Sequence, residues 1–245
     1  MSWLAVLLIG LALADLTHSV RPVRILPECV GAAGAVVVGL VAGLTQGRDV
    51  VALLLIAIAV LAWGQSVTHG FAGRIPACVP LAVLASSVGV AIAVAGWADP
   101  AGGWLGDWLD GTPLPVLGGL DADRALLLGG AFAVQLSTGN VVVRLVLAAT
   151  DTVNPARHGQ SDDPEMQLKG GRLLGPLERV FILGLALAGQ VTAASIVVAA
   201  KGLLRFPELS SRRDQERIHL LTEYFLVGSF VSWLVALTSL VLLME

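Results

Sequence analysis

Residues 170–228 read GGRLLGPLERVFILGLALAGQVTAASIVVAAKGLLRFPELSSRRDQERIHLLTEYFLVG. In this stretch a long apolar run separates Glu178 and Arg179 from Lys201 and Arg205. A run of about 20 apolar residues is long enough to cross the ~30 Å hydrocarbon core of a bilayer as a helix. The stretch therefore predicts a transmembrane helix with charged ends, followed by a second helix that begins near Glu223.

The composition of the whole chain supports the same interpretation. Of its 245 residues, 56% are apolar and 13% are charged, and its mean hydropathy is +0.83. A soluble domain carries about 25% charged residues. We predict an all-α protein, a polytopic transmembrane helical bundle in which residues 1–245 form one domain. The net charge is -3 and no basic block occurs, so membrane lipids are expected partners and nucleic acid is not.

Seven apolar segments are long enough to span a bilayer. They must be helical, because a helix satisfies its own backbone hydrogen bonds in lipid and these runs lack the alternation of barrel strands. Lys and Arg residues divide evenly between the two sets of connectors, so the positive-inside rule gives no orientation. The predicted spans lie near residues 2–20, 28–46, 50–71, 76–98, 125–149, 178–200 and 220–243.

Two stretches allow a second interpretation. Residues 4–14 are apolar enough for a signal peptide, but they lack the basic region that precedes one, and we interpret them as part of the first span. Residues 99–124 are too polar to span, and their tryptophans suit a membrane interface. We expect a re-entrant or interfacial turn there.

Arg144 is the most unusual residue of the fifth segment. An arginine inside a span costs a few kcal/mol on insertion scales unless it is paired or reaches the interface. Asn140 lies four residues earlier, on the same helix face. One interpretation is a buried polar site or permeation path, and the other is an arginine that extends to the headgroups with its stem in lipid.

Asp15, at the end of the first segment, is a second intramembrane candidate. Paired with His18 or His69 it would resemble a proton relay. It would otherwise be an interfacial carboxylate held by Arg21 or Arg24. We therefore group Asp15, His69, Asn140 and Arg144 as a candidate polar intramembrane site.

Five charged residues at the helix ends are candidate structural ion pairs: Glu178, Arg179, Lys201, Arg205 and Glu223. We expect Glu178 or Glu223 to contact an arginine or lysine of the 170–228 stretch and thereby to join the last two helices. Breaking a buried pair of this kind costs about 3–5 kcal/mol.

Polar and small residues within the segments predict helix packing. Gln190 lies near the middle of the sixth segment and is expected to bond to another helix. Three stripes of small residues predict close helix approach, either inside the bundle or at a dimer face. The stripes are Gly31, Ala35, Gly39 and Gly43; Gly184, Ala188 and Thr192; and Gly228, Ser232 and Ala236.

The sequence contains few signs of catalysis. It has no H-E-x-x-H motif, no G-x-S-x-G motif and no phosphate-binding glycine loop. Cys29 and Cys78 are too far apart in sequence to form a C-x-x-C pair. We expect no catalytic residues, no metal and no cofactor, and an enzyme is the least favoured class.

Residues 171–232 resemble a family of bacterial multi-span membrane proteins known only as a domain of unknown function. The resemblance is carried by Gly171, Gly175, Leu177, Glu178 and Arg179; by Gln190; by Ala199, Ala200, Lys201, Arg205 and Phe206; and by Glu223, Tyr224, Leu226 and Gly228. It covers about a quarter of the chain. It implies a multi-pass helical protein of the bacterial cytoplasmic membrane, and it implies no activity.

Two functional classes follow from these observations. The first is a scaffold or assembly subunit of a membrane complex, which would bind a protein partner or a second copy of itself. The second is a transporter or channel for a small solute or for protons. We expect the scaffold, because the intramembrane charges are few.

Overall fold

The computed structural model describes residues 1–150 without 22, 24, 115 and 116, residue 152, and residues 171–210 and 215–244. Side chains are described in the same ranges except at 171–173, 201, 204–210 and 215–221. These ranges contain helices and no strand, so the all-α prediction is confirmed for them. The helices are α1 (Ser2–Val20), α2 (Leu26–Val41), α3 (Gly47–Phe71), α4 (Cys78–Ala93), a 3-10 turn (Ala95–Trp97), α5 (Gly103–Gly111), α6 (Ala122–Leu136), α7 (Thr138–Ala149), α8 (Gly171–Leu187), α9 (Val191–Ser210) and α10 (Gln215–Leu242).

In the described part of the chain, three helices are long and apolar enough to cross a membrane. They are α1, α3 and residues Thr222–Leu242 of α10, and α6 with α7 adds a fourth if the bent pair is one span. The apolar helices α2 and α4 have 16 residues each. At 1.5 Å per residue they are about 24 Å long, shorter than the ~30 Å hydrocarbon core. The structure supports three to four candidate spans, and the prediction of seven is not confirmed.

The sixth predicted segment is divided between α8 and α9. Gly189 lies between them with φ +74°, a left-handed backbone conformation that glycine adopts readily because it has no Cβ atom. The Gly189 N–H donates to the Ala186 carbonyl and the Gln190 N–H donates to the Leu185 carbonyl. This pair of bonds is a Schellman motif and it ends α8. Gln190 has an exposed side chain at the start of α9, so it does not lie mid-helix as predicted.

The fifth predicted segment is also interrupted, at Ser137 between α6 and α7. The Ser137 backbone N–H donates to the Ala133 carbonyl, and its hydroxyl donates to the carbonyl of Ala12 on α1 at 2.9 Å. Thr138 follows it and is 2% exposed. The interruption therefore places a hydroxyl-rich turn inside the protein.

The described chain forms two compact units: Met1–Thr68 with Val79–Thr138, and His69–Cys78 with Gly139–Glu245. In the first unit α1 packs against α2 and α6. A Cβ on Gly31 of α2 would lie 2.6 Å from the Ala14 Cβ of α1. The small residues thus let the two backbones approach closely, and the stripe that contains Gly31 packs inside this unit.

In the second unit α8 packs against α9 and α10. Leu183 of α8 and Ala236 of α10 are almost fully buried. A Cβ on Gly228 would lie 3.7 Å from Val143 of α7. The stripe of Gly228, Ser232 and Ala236 therefore also faces neighbouring helices of its own unit.

Candidate functional site: a buried carboxylate cluster

Asp15 lies near the end of α1 and is 8% exposed. The indole N–H of Trp63 on α3 donates to both of its carboxylate oxygens, with Nε1–O distances of 3.1 and 3.2 Å. Trp63 is fully buried. A charged group in an apolar interior needs hydrogen-bond partners to offset its lost hydration, and here the partner is a neutral indole.

Glu28 lies in the first turn of α2, where a carboxylate favours the helix dipole. It is 3% exposed, and its Oε1 accepts a hydrogen bond from Gln65 of α3 at 3.1 Å. Its Oε2 is buried and has no hydrogen-bond partner among the described residues. The cluster thus contains a carboxylate oxygen whose hydrogen-bonding capacity is not used.

The two carboxylates converge on one turn of α3. Trp63 binds Asp15, Gln65 binds Glu28, and the Glu28 side chain packs directly against Gly64 between them. Any side chain at position 64 would occupy the space of Glu28. The carboxylates are close enough to repel each other electrostatically. We call Asp15, Glu28, Trp63, Gln65 and Thr138 the carboxylate cluster.

Thr138 brings the start of α7 to this cluster. Its hydroxyl approaches the Asp15 carboxylate, but it does not meet the geometry of a hydrogen bond to any described group. The hydroxyl is buried, and the preceding Ser137 ties the same turn to α1. The described hydrogen-bond donors to Asp15 and Glu28 are therefore an indole and an amide, both neutral.

A second tryptophan–carboxylate pair joins α1 and α3 at their other end. The Trp3 indole of α1 donates to Asp49 of α3 at 2.8 Å, and Asp49 is fully buried. Each helix thus contributes one tryptophan and one aspartate, in reciprocal pairs. Because Trp3 precedes Asp15 on α1 and Asp49 precedes Trp63 on α3, the two helices run parallel.

The second unit contains a buried arginine. Arg179 of α8 is 1% exposed, and its guanidinium donates to Asn140 of α7 at 2.8 Å and to Ser232 of α10 at 3.1 Å. A Cβ on Gly139 would lie 2.6 Å from the Arg179 Nε. Glycine at this position therefore makes room for the guanidinium, which connects three helices.

Glu178 is also buried, and the indole of Trp233 on α10 donates to its Oε1 at 2.8 Å. The sequence placed Glu178 in the first turn of its helix, but α8 begins at Gly171 and contains Pro176. The dipole of a helix start therefore does not explain Glu178. The described contact that joins it to the last helix comes from an indole, and an ion pair at Glu178 stays a prediction.

The remaining residues of the predicted polar site have separate surroundings. The Arg144 guanidinium lies over the ring of Phe71, 4.7 Å from its centroid, a distance typical of a cation–π interaction. Arg144 and His69 are half-buried. Asp15 belongs to the first unit, whereas His69, Asn140 and Arg144 belong to the second. A site that combines all four stays a prediction.

The predicted pair between the sixth and seventh segments lies partly outside the described residues. The side chains of Lys201 and Arg205 lie outside the described residues. Glu223 is exposed, where an ion pair contributes under about 1 kcal/mol. The pairing of Lys201 with Glu223 stays a prediction.

Sequence reasoning missed Glu28, Trp63 and Trp233. A signal existed for Glu28, because alternation of spans places the end of the first segment and the start of the second at the same membrane face. The tryptophans gave no such signal, because Trp63 and Trp233 lie inside predicted spans, where an indole is as compatible with apolar packing as with hydrogen bonding.

Comparison with known proteins identifies no relative: no protein-family model, curated protein or solved structure matches this chain. The resemblance carried by residues 171–232 therefore remains an expectation from the sequence.

Proposed function

We propose that the protein is a multi-pass membrane protein of the bacterial cytoplasmic membrane that transports a small solute or protons through the first unit. The observation that supports this best is the carboxylate cluster. Asp15 and Glu28 are both buried, close together and bound by neutral donors in the described structure. Carboxylates in the interior of a membrane protein often mark the path of an ion or a proton.

Such a cluster is costly to keep. Each buried carboxylate loses much of its hydration, and a second carboxylate nearby adds electrostatic repulsion. Apolar residues of similar volume would pack without this cost. Binding of a positively charged species would offset both the lost hydration and the repulsion. Transport requires such binding to be reversible.

Flux measurements on liposomes that contain only this protein test the proposal. We expect proton or cation flux above that of empty liposomes, and we expect Glu28→Gln to reduce it. Asp49→Asn is the matched control, because Asp49 is an equally buried carboxylate bound by a tryptophan outside the cluster. Equal flux through the two variants and the wild type, or no flux in a folded preparation, would refute the proposal.

A scaffold or assembly subunit is the second candidate. Two of the three small-residue stripes pack against helices of their own units, so they are not available for contact with a partner. The third stripe is divided, because Gly184 lies in α8, Ala188 in the turn that ends it and Thr192 in α9. A Cβ on Gly184 would meet nothing within 4 Å, and this open space on α8 supports association with another helix.

Purification in mild detergent tests the scaffold. A partner or second copy bound in fixed stoichiometry supports it, and Gly184→Leu is expected to release that partner because leucine prevents close helix approach. Gly89→Leu is the matched control on α4, since Gly89 is exposed and also has open space around it. A monomeric protein without partners argues against the scaffold.

A further inference from the structure

We infer that residues 97–111, which we call the tryptophan segment, anchor the first unit in the headgroup region of the bilayer. The segment contains the last residue of the 3-10 turn and the whole of α5. Its partner is the lipid surface, which the side chains of Trp97, Trp104 and Trp108 enter. This role requires the membrane location of the proposed function, on which the inference therefore rests, but it does not require transport.

The tryptophan segment is attached to the ends of three helices. The hydroxyl of Ser2, at the start of α1, donates to the Asp99 carbonyl at 2.9 Å, and Arg48 in the first turn of α3 forms an ion pair with the Asp99 carboxylate. The Gly102 N–H donates at 2.8 Å to the carbonyl of Ala42, the residue that follows α2. Because α1 and α3 are candidate spans that run parallel, both begin at one membrane face, and the segment lies at that face.

The tryptophans of the segment differ from the others in the chain. Trp97 is 70% exposed, Trp104 67% and Trp108 47%, and their indole N–H groups have no acceptor among the described residues. The other three tryptophans each donate to a buried carboxylate. Exposed clusters of large apolar side chains mark interaction surfaces. Indoles with a free N–H are typical of the headgroup region, where the ring contacts acyl chains and the N–H remains hydrogen-bonded.

The helix α5 divides its side chains among three sides, because successive residues are about 100° apart around a helix. Leu109 is 3% exposed, so its side faces the protein. Asp107 and Asp110 are exposed on a second side, and Trp104 and Trp108, four residues apart, share a third. A helix that lies along a membrane surface beside a protein needs these three sides, with carboxylates toward water and indoles toward lipid.

The surface next to the segment is apolar as well, which identifies lipid as the partner. Leu40 and Val41 at the end of α2, and Val50 and Val51 near the start of α3, are exposed. In the proposed membrane location the exposed apolar side chains of a span face lipid, and the tryptophan segment borders that surface. Residues 97–111 contain no Lys or Arg, so the indoles provide the contact and attraction to anionic headgroups does not.

Spin labels on the full chain in phosphatidylcholine vesicles test the inference. Cys29 and Cys78, both exposed, are replaced by serine, and single cysteines are introduced by Trp104→Cys, Asp107→Cys and Ile58→Cys. Collisions of each nitroxide label are measured with oxygen, which concentrates in lipid, and with a nickel chelate, which stays in water. We expect the ratio of oxygen to nickel collisions to be highest for the label at 58, on the exposed side of α3, intermediate at 104 and lowest at 107.

The outcomes separate this inference from the proposed membrane location. A label at 104 that collides with nickel as freely as the label at 107, while the label at 58 lies in lipid, overturns the inference and leaves the membrane location standing. A label at 104 that neither reagent reaches indicates contact with protein and also overturns it. A label at 58 that lies in water refutes the membrane location itself, whereas absence of flux in liposomes refutes transport alone.

Tryptophan fluorescence keeps the test decisive if a labelled variant does not fold. Vesicles of phosphatidylcholine with bromine on the acyl chains near the headgroup quench indoles that contact lipid. We expect these vesicles to quench the wild type more than unbrominated vesicles do. The double variant Trp104→Phe with Trp108→Phe is expected to lose the larger part of that quenching, because it removes two of the three exposed tryptophans. Equal quenching of the double variant and the wild type, or an unquenched wild type, overturns the inference.

Discussion

Replacement of Trp63 by phenylalanine removes the indole N–H that donates to both oxygens of Asp15, and it keeps an aromatic ring in the same fully buried position. The expected result is a large loss of stability. Hydrogen bonds to charged groups contribute about 1.5–3 kcal/mol, and the volume lost from tryptophan to phenylalanine adds about 1 kcal/mol. We expect the free energy of unfolding to fall by about 2.5–4 kcal/mol.

Unfolding in mixed micelles of increasing denaturing detergent, followed by circular dichroism, measures this loss. Trp97→Phe is the matched control, because Trp97 is 70% exposed and the same exchange at the surface changes stability by under about 0.5 kcal/mol. The double mutant with Asp15→Asn isolates the hydrogen bond. With a neutral acceptor the bond contributes only about 0.5–1.5 kcal/mol, so Trp63→Phe is expected to cost less in that background.

Two results would refute the reasoning about Trp63. One is an equal cost for Trp63→Phe and Trp97→Phe, which would mean that burial of the indole N–H beside Asp15 has no energetic consequence. The other is a cost of Trp63→Phe that Asp15→Asn leaves unchanged, which would assign the loss to volume alone.

Four further substitutions, one of them a control, test the packing and the second unit by the same unfolding measurement. Gly64→Ala puts a Cβ where the Glu28 side chain lies and is expected to cost about 1–3 kcal/mol; no measurable cost would contradict the described approach of α2 and α3. Gly189→Ala is expected to cost about 1 kcal/mol because φ at Gly189 is +74°. Its control is Gly184→Ala, in open space within α8, which is expected to be neutral or to stabilise by up to about 1 kcal/mol. Equal effects of the two substitutions would refute the Schellman assignment. Arg179→Lys cannot reproduce the two guanidinium bonds and is expected to destabilise by about 1–3 kcal/mol, and a variant as stable as the wild type would show that those bonds contribute little.

The sequence predicted the secondary structure class well and the helix limits less well. Apolar runs in α1 and α3 are uninterrupted, and there the predicted and observed segments nearly coincide. The sixth segment looked equally continuous, yet Gly189 and Gln190 end one helix and begin another. A glycine in an apolar helix is common in membranes. Whether such a glycine stays helical or adopts a left-handed conformation depends on tertiary packing, which the local sequence does not specify.

The candidate site illustrates the same limit at the level of side chains. Asp15 was identified from the sequence because a carboxylate in an apolar segment is costly wherever it lies. Its expected partners were histidines or arginines, whereas the described donor is Trp63. A charged side chain leads one to expect an oppositely charged partner. In a protein interior, however, a neutral donor can hydrogen-bond to a carboxylate without the cost of removing a second charge from water.

By itself the sequence determined that this protein is helical and apolar enough for a membrane. An apolar composition favours lipid as the surroundings, and in lipid the backbone N–H and C=O groups must hydrogen-bond to each other. It also determined which residues are unusual there, such as Asp15 and Arg144. Only the tertiary structure decided which groups meet. Trp63 and Asp15 are 48 residues apart in sequence, and Arg179 and Ser232 are 53 apart. Contacts over such separations depend on the packing of whole helices, where small residues permit close approach and turns redirect the chain, and no local pattern encodes them.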